Sequence, residues 1–70
     1  MRDLAKGELE ERLFERVPEN AAFGHTIGRI GRDAGVPYKQ ARSILRSMER
    51  KGRIVSIMNA KSRRQYGRMP

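Results

Sequence analysis

Lys39, Arg42 and Arg46 stand three and four residues apart, so on a helix they share one face with no acid among them. Like charges at such spacings destabilise an isolated helix, which points to an anionic ligand that neutralises them. Arginine can donate two parallel hydrogen bonds to guanine O6 and N7, and a glutamine such as the adjacent Gln40 can bond adenine N6 and N7. Further along, Lys61, Arg63 and Arg64 place three cations within four residues. That composition suits phosphate contact or entry into a narrow minor groove, and equally the protection of an exposed strand edge. Arg29 and Arg32 make a third basic group, suited to phosphate contacts that set a docking angle.

The same inventory excludes other chemistry. The chain has no cysteine and a single histidine, His25, while Asp33 and Glu49 stand isolated among arginines. No nucleophile–base pair or metal-ligand set can be assembled, so neither an enzyme nor a cofactor or small-molecule substrate is expected. Gly24, Gly28, Gly31 and Gly35 lack the Gly-Lys-Ser/Thr that would complete a phosphate loop. No apolar run approaches a membrane span, and no basic segment leads into an apolar one as in a secretory signal. The expected location is therefore cytoplasmic, with the nucleoid as the address in a bacterium or archaeon.

Charge is segregated along the 70 residues. Residues 1–25 hold four Lys/Arg against six Asp/Glu, net −2, whereas residues 26–70 hold twelve against two, net +10. Such a separation gives the surface potential a direction, able to orient a polyanion. A chain of this length makes one domain with a small core.

The elements that must position these cations follow from periodicity and punctuation. Leu9, Leu13, Phe14 and Val17 mark one face of a first helix, from about Glu8 to Val17, with Leu4 and Ala5 as a backward extension across Gly7. Pro18 stops it, and Ala22–His25 reads as a short extended link able to form one bridge. Thr26 caps a second helix, Ile27–Ala34, and Gly35 ends it in the left-handed region. A third helix, Pro37–Lys51, buries Ala41, Ile44, Leu45 and Met48 and ends at Gly52. Arg53–Met58 is β-branched and apolar, Asn59–Ser62 is a turn, and Arg63–Arg68 returns as an antiparallel strand. The alternation leaves open whether Ile54 and Met58 or Val55 and Ile57 face inward. Tyr66 is expected to pair across this hairpin, and Met69 and Pro70 to fray.

This order, with Thr26-Ile27-Gly28-Arg29-Ile30-Gly31-Arg32-Asp33-Ala34-Gly35-Val36-Pro37, then Ala41, Ile44-Leu45, Met48-Glu49-Arg50-Lys51-Gly52 and Ile54, resembles the winged helix-turn-helix family over about residues 9–68. The resemblance implies an α+β fold: a single domain spanning residues 1–70, core about 8–68, of three helices and a C-terminal β-hairpin wing. Two departures stand out. Gly31 replaces the usual alanine where the two helices approach, a sterically harmless change, and Pro37 replaces a Ser/Thr cap. In that family the third helix lies in the DNA major groove. Carried onto this chain, the groove-facing residues are Tyr38, Lys39, Gln40, Arg42, Ser43 and Arg46, with Lys61, Arg63 and Arg64 of the wing on the backbone or minor groove.

The function implied is double-stranded DNA binding by a small transcriptional regulator or a phage- or plasmid-type accessory factor. The acidic first helix, away from the DNA, would serve a homodimer or a protein partner. One alternative is an RNA-binding winged helix, which exposed stacking aromatics would favour, with Tyr38 and Tyr66 the available ones. Another is a protein-interaction module, which would expose an apolar patch built from Val55, Ile57 and Met58. A membrane-surface helix would need the apolar stripe of the third helix, which the core requires.

Overall fold

The computed structural model describes residues 6–69. Its elements are α1 (Lys6–Arg16), a 3-10 turn (Ala21–Phe23), α2 (Ile27–Ala34), α3 (Tyr38–Arg50), β1 (Val55–Met58) and β2 (Arg64–Gly67). Three α-helices followed by an antiparallel hairpin give the α+β, winged-helix-like topology expected from the element order. Leu13 and Val17 of the α1 segment, Ile30 and Ala34 of α2, and Ala41, Ile44, Leu45 and Met48 of α3 converge on Val36, Ile54 and Tyr66 to form the core.

Helix boundaries follow local chemistry. α1 is described from Lys6, ahead of the expected start at Glu8, and Gly7 continues the helix instead of interrupting it; Leu4 and Ala5 lie outside the described residues. Val17 leaves the helix but donates its N–H to the Phe14 carbonyl at 3.1 Å, closing the last turn before Pro18. Thr26 Oγ1 accepts the Arg29 N–H, and Gly35 takes φ 71°, as its place after Ala34 demands. Val36 N–H then reaches the Gly31 carbonyl at 2.8 Å, the six-to-one bond of a glycine-terminated helix. Pro37 and Lys51 flank α3 as caps, so the helix is shorter by one residue at each end than the spacing predicts, and Pro37 supplies no side-chain bond.

Gly31 is sterically harmless, as expected, and the close approach favours it. A Cβ there would stand 3.0 Å from the Val36 carbonyl oxygen and 3.1 Å from Ala41 Cβ. The alanine usual in the family would be squeezed in this chain. The glycine lets α2 lie close against α3, which carries the cations.

The link before α2 is not extended as expected. Asn20 Oδ1 accepts the Ala22 N–H at 2.7 Å and winds Ala21–Phe23 into a 3-10 turn. Gln65 Nε2 holds that turn from the hairpin by donating to the carbonyls of Ala21 and Ala22, at 2.8 and 3.2 Å. Only after the turn does His25 make the expected bridge, exchanging both backbone bonds with Tyr66. Gly24 permits that bridge, since a Cβ there would collide with the Tyr66 carbonyl, and Gly67 lets the hairpin lie against the 3-10 turn, where a Cβ would collide with the Ala21 backbone.

The hairpin pairs Val55 with Gly67, Ser56 with Tyr66, Ile57 with Gln65 and Met58 with Arg64. Both strands are shorter than the sequence predicts, because Arg53 and Ile54 precede the ladder and residues 59–63 form the turn. Asn59 organises that turn: its Oδ1 accepts the N–H groups of Lys61 and Arg63 at 2.9 and 3.0 Å. Neither apolar alternation of β1 is buried. Ile54, ahead of the strand, enters the core, whereas Ile57 and Met58 are exposed and Val55 is half-buried. Tyr66 pairs across the hairpin as expected and is also wholly buried. Met69 does not fray: its N–H bonds the Glu19 carbonyl and its own carbonyl accepts from Ala21. Pro70 lies outside the described residues.

Candidate nucleic-acid interface

The buried stripe of α3 leaves the opposite side of the helix to solvent. At about 100° per residue, Lys39, Arg42, Ser43 and Arg46 fall on that side, and Arg50 continues it one turn further. With Tyr38 they line one shallow hollow along the helix. A second hollow joins Tyr38 to Arg63 and Arg64 of the hairpin and to Thr26, Ile27 and Gly28 at the start of α2. Tyr38, more than half exposed, is thus the residue where the helical face and the hairpin arginines meet.

The remaining expected residues lie apart from these hollows. Gln40 is exposed but sits about a quarter-turn from Lys39, on the flank of α3. Lys61 stands at the hairpin tip, and Arg29 and Arg32 on the outer side of α2. Arg29 is partly occupied by Asp33, one turn on, at 3.9 Å. Arg50 is the residue that sequence reasoning left out. Its spacing of four from Arg46 was the available signal.

Electrostatics separate two populations of cations. Among the described residues, Lys39, Arg42, Arg46, Arg50, Arg63 and Arg64 have no carboxylate within ion-pair distance. By contrast, Lys51 Nζ donates to Glu10 at 3.1 Å, and Arg53 donates to Glu10 and, at 3.0 Å, to Glu11. Hydrogen bonds from Lys51 and then Arg53 hold the Glu10 carboxyl below the ordinary glutamate range. The Arg53 guanidinium also covers one side of the Phe14 ring at 4.4 Å, and Arg68 lies over the same ring at 4.5 Å. Arg68 Nη2 donates to the Phe14 carbonyl, which fastens the C-terminal segment to α1.

Helix and hairpin are also coupled behind the exposed face. Ser56 Oγ donates to the Glu49 carboxylate at 2.6 Å, tying β1 to the last turn of α3. The Tyr66 hydroxyl is buried among them without a hydrogen-bond partner. Burial, and then the nearby Glu49 charge, push its pKa up, while Arg64 and Arg46 pull the other way. Arg46 of α3 and Arg64 of β2 are therefore both close enough to act on this one buried hydroxyl.

Among the described residues no group of three or more His, Cys, Asp or Glu is arranged to hold a metal ion, and no helix is long and apolar enough to cross a membrane. No family model, curated protein or solved structure matches the chain.

Proposed function

We propose that this chain binds double-stranded DNA, as a small transcriptional regulator or a phage- or plasmid-type accessory factor acting in the cytoplasm or on the nucleoid. The observation that carries the reading is the continuous run of cations without carboxylate partners over α3 and the hairpin, Lys39, Arg42, Arg46, Arg50, Arg63 and Arg64, joined at Tyr38. A polyanion supplies the charge that the protein itself withholds there. The thirteen residues of α3 make a rod of about 20 Å, and the B-DNA major groove is about 12 Å wide and admits a helix.

In this reading α3 enters the major groove. Arg42 and Arg46 read guanine edges, with Gln40 beside them for adenine, and Lys39, Ser43 and Arg50 contribute polar and phosphate contacts. Arg63 and Arg64 rest on the flanking backbone or minor groove, with Lys61 at the tip. Arg29 and Arg32 contact phosphates from α2, and Tyr38 donates its hydroxyl at the junction. The acidic outer face of α1, on the other side of the core, is available to a protein partner. With Tyr66 buried, Tyr38 is the one aromatic lining the two basic hollows, which favours duplex DNA over splayed single-stranded RNA.

The test is fluorescence anisotropy of a labelled mixed-sequence duplex, with an RNA hairpin in parallel, across a salt series. Duplex binding with a log–log salt slope of about −4 to −7 is expected from the number of free cations. Absence of duplex binding at low salt would overturn the reading, and preference for the hairpin would redirect it to RNA.

A further inference from the structure

The hairpin has one edge occupied and one edge open. On the β2 side, Tyr66 spends its outward N–H and C=O on His25. On the β1 side, no described segment pairs with the strand. The direction of the open groups follows from the register. Asn59 N–H donates to the Arg63 carbonyl, so in an alternating antiparallel ladder Ile57 and Val55 exchange bonds with Gln65 and Gly67. Ser56 and Met58, between them, aim N–H and C=O away from β2. The opposite partner of Ser56 is Tyr66, whose own outward groups are the ones on His25, in agreement with this phase.

Natural edge strands are blunted by charge, proline, a bulge or a covering element. Here Ile54-Val55-Ser56-Ile57-Met58-Asn59-Ala60 has neither a charge nor a proline, and Ile57 and Met58 are 39% and 59% exposed. Gln65, whose side chain reaches the 3-10 turn, shares a sheet face with Ile57. Phe23, 80% exposed, belongs to that same turn and adds apolar surface beside the strand. The outer face of α1, in contrast, carries Glu8, Glu11, Arg12, Glu15 and Arg16 and no apolar side chain. Apolar surface for self-association therefore lies on the hairpin side of the molecule.

We infer that the open edge of β1 is a self-association surface on which a second copy of this chain pairs its own β1, antiparallel, about a two-fold axis at Ile57. The register is self-complementary. Ser56 lies opposite the partner's Met58, and Met58 opposite the partner's Ser56, so the outward groups exchange four backbone bonds. Ile57 then faces the partner's Ile57 in the close, non-bonded position of the ladder. Charge permits the same register. Glu10 and Glu11 neutralise Lys51 and Arg53 near one end of β1, so the partner's Lys61 at the other end meets no net positive charge there. The basic tips point in opposite directions, and the surface formed by Tyr38, Lys39, Arg42, Ser43, Arg46 and Arg50 stays uncovered. This inference does not depend on the DNA reading, although a two-fold pair would present two copies of α3 to a palindromic site.

Four bonds and a few apolar side chains make a small interface, so association is expected in the micromolar range. Sedimentation velocity of the full chain without nucleic acid, from about 5 to about 500 µM, brackets that affinity. A reversible monomer–dimer equilibrium is expected. Ile57→Lys sets like charges against each other on the axis and should weaken the dimer about tenfold or more. Met58→Pro removes an outward N–H that β2 does not use, and should do the same with the circular dichroism spectrum retained.

Because the chain has no cysteine, Ile57→Cys reports the register directly. It should cross-link to itself under mild oxidation, while Met69→Cys, exposed but off the edge, should not. A chain that stays monomeric throughout the range overturns the inference. So does a dimer that survives both edge variants, or an Ile57→Cys variant that fails to cross-link where the wild type dimerises.

Discussion

The cations of the basic half occupy two contrasting environments. Around Phe14, Arg53 and Arg68 lie over the ring, Arg53 is bonded to Glu10 and Glu11, and Lys51 shares the Glu10 carboxylate. Along α3 and the start of β2, five arginines and a lysine stand without a carboxylate. The two environments are adjacent: Arg50 belongs to the open face and Lys51 to the closed seam. Net charge alone does not distinguish them. What distinguishes them is where α1 delivers its acids, and it delivers them to one end of α3 only. The seam spends its charge on holding the fold together, and the face keeps its charge available for a ligand.

Variants in the seam should therefore move stability, and variants on the face should move binding. The largest effect is expected at Gly67→Ala, whose Cβ would strike the Ala21 backbone and force the hairpin off the 3-10 turn. A loss of about 3 kcal/mol is expected from such overpacking against main chain, read as a fall in the urea midpoint. On the face, Arg42→Ala and Arg46→Ala should each cost about 1–3 kcal/mol of duplex affinity, with the urea midpoint unmoved because both side chains are exposed. Arg64→Ala should instead weaken all duplexes alike and reduce the salt slope by about one. If an alanine at Arg42 or Arg46 lowers stability as much as binding, the contrast between face and seam fails.

Smaller effects sharpen the seam. Phe14→Leu keeps an apolar side chain but gives up two ring–cation contacts, and thermal unfolding should register a loss of about 1–2 kcal/mol. Glu10→Gln should cost about 0.5–1 kcal/mol at neutral pH, since its partners are partly solvated. Its pH dependence has a definite sign. The Glu10 pKa is lower folded than unfolded, so the stabilisation is present above the ordinary glutamate value of 4.5 and disappears as pH falls through the lowered one. Wild type and Glu10→Gln should thus differ at pH 7 and converge in acid. Denaturation curves of both proteins in parallel from pH 7 down through the acid range check this, and a difference that does not shrink as pH falls below 4.5 would deny the ion pairs their role.

Much of the architecture was legible where one residue dictates local backbone. Thr26, Gly35, Pro37 and Gly52 punctuate the helices as their side chains or missing side chains require, and the period of α3 named its buried stripe. The face of α3 was legible for the same reason, because helical spacing places side chains without knowledge of the rest of the chain. Less was legible wherever distant segments meet. Nothing in Ala21-Ala22-Phe23 announces a 3-10 turn; the turn is held by Asn20 locally and by Gln65 from the far end of the chain. The alternation of β1 misled because the strand is an edge with little of either face buried, so neither parity of its apolar residues is selected. Arg50 and Arg53 look alike in sequence, and only one of them meets acids.

By itself, the sequence determined the helices, their ends, the hairpin and the basic side of α3, because these depend on interactions within a few residues or on a period. It also determined the segregation of charge between the two halves. Tertiary structure alone decided which cations are neutralised, since Glu10 reaches Lys51 and Arg53 across more than forty residues of chain. It alone set the hairpin arginines beside Tyr38, buried Tyr66 beneath them and left the edge of β1 open. Ion pairing and edge coverage are properties of surfaces in contact, and those surfaces exist only once the core has closed.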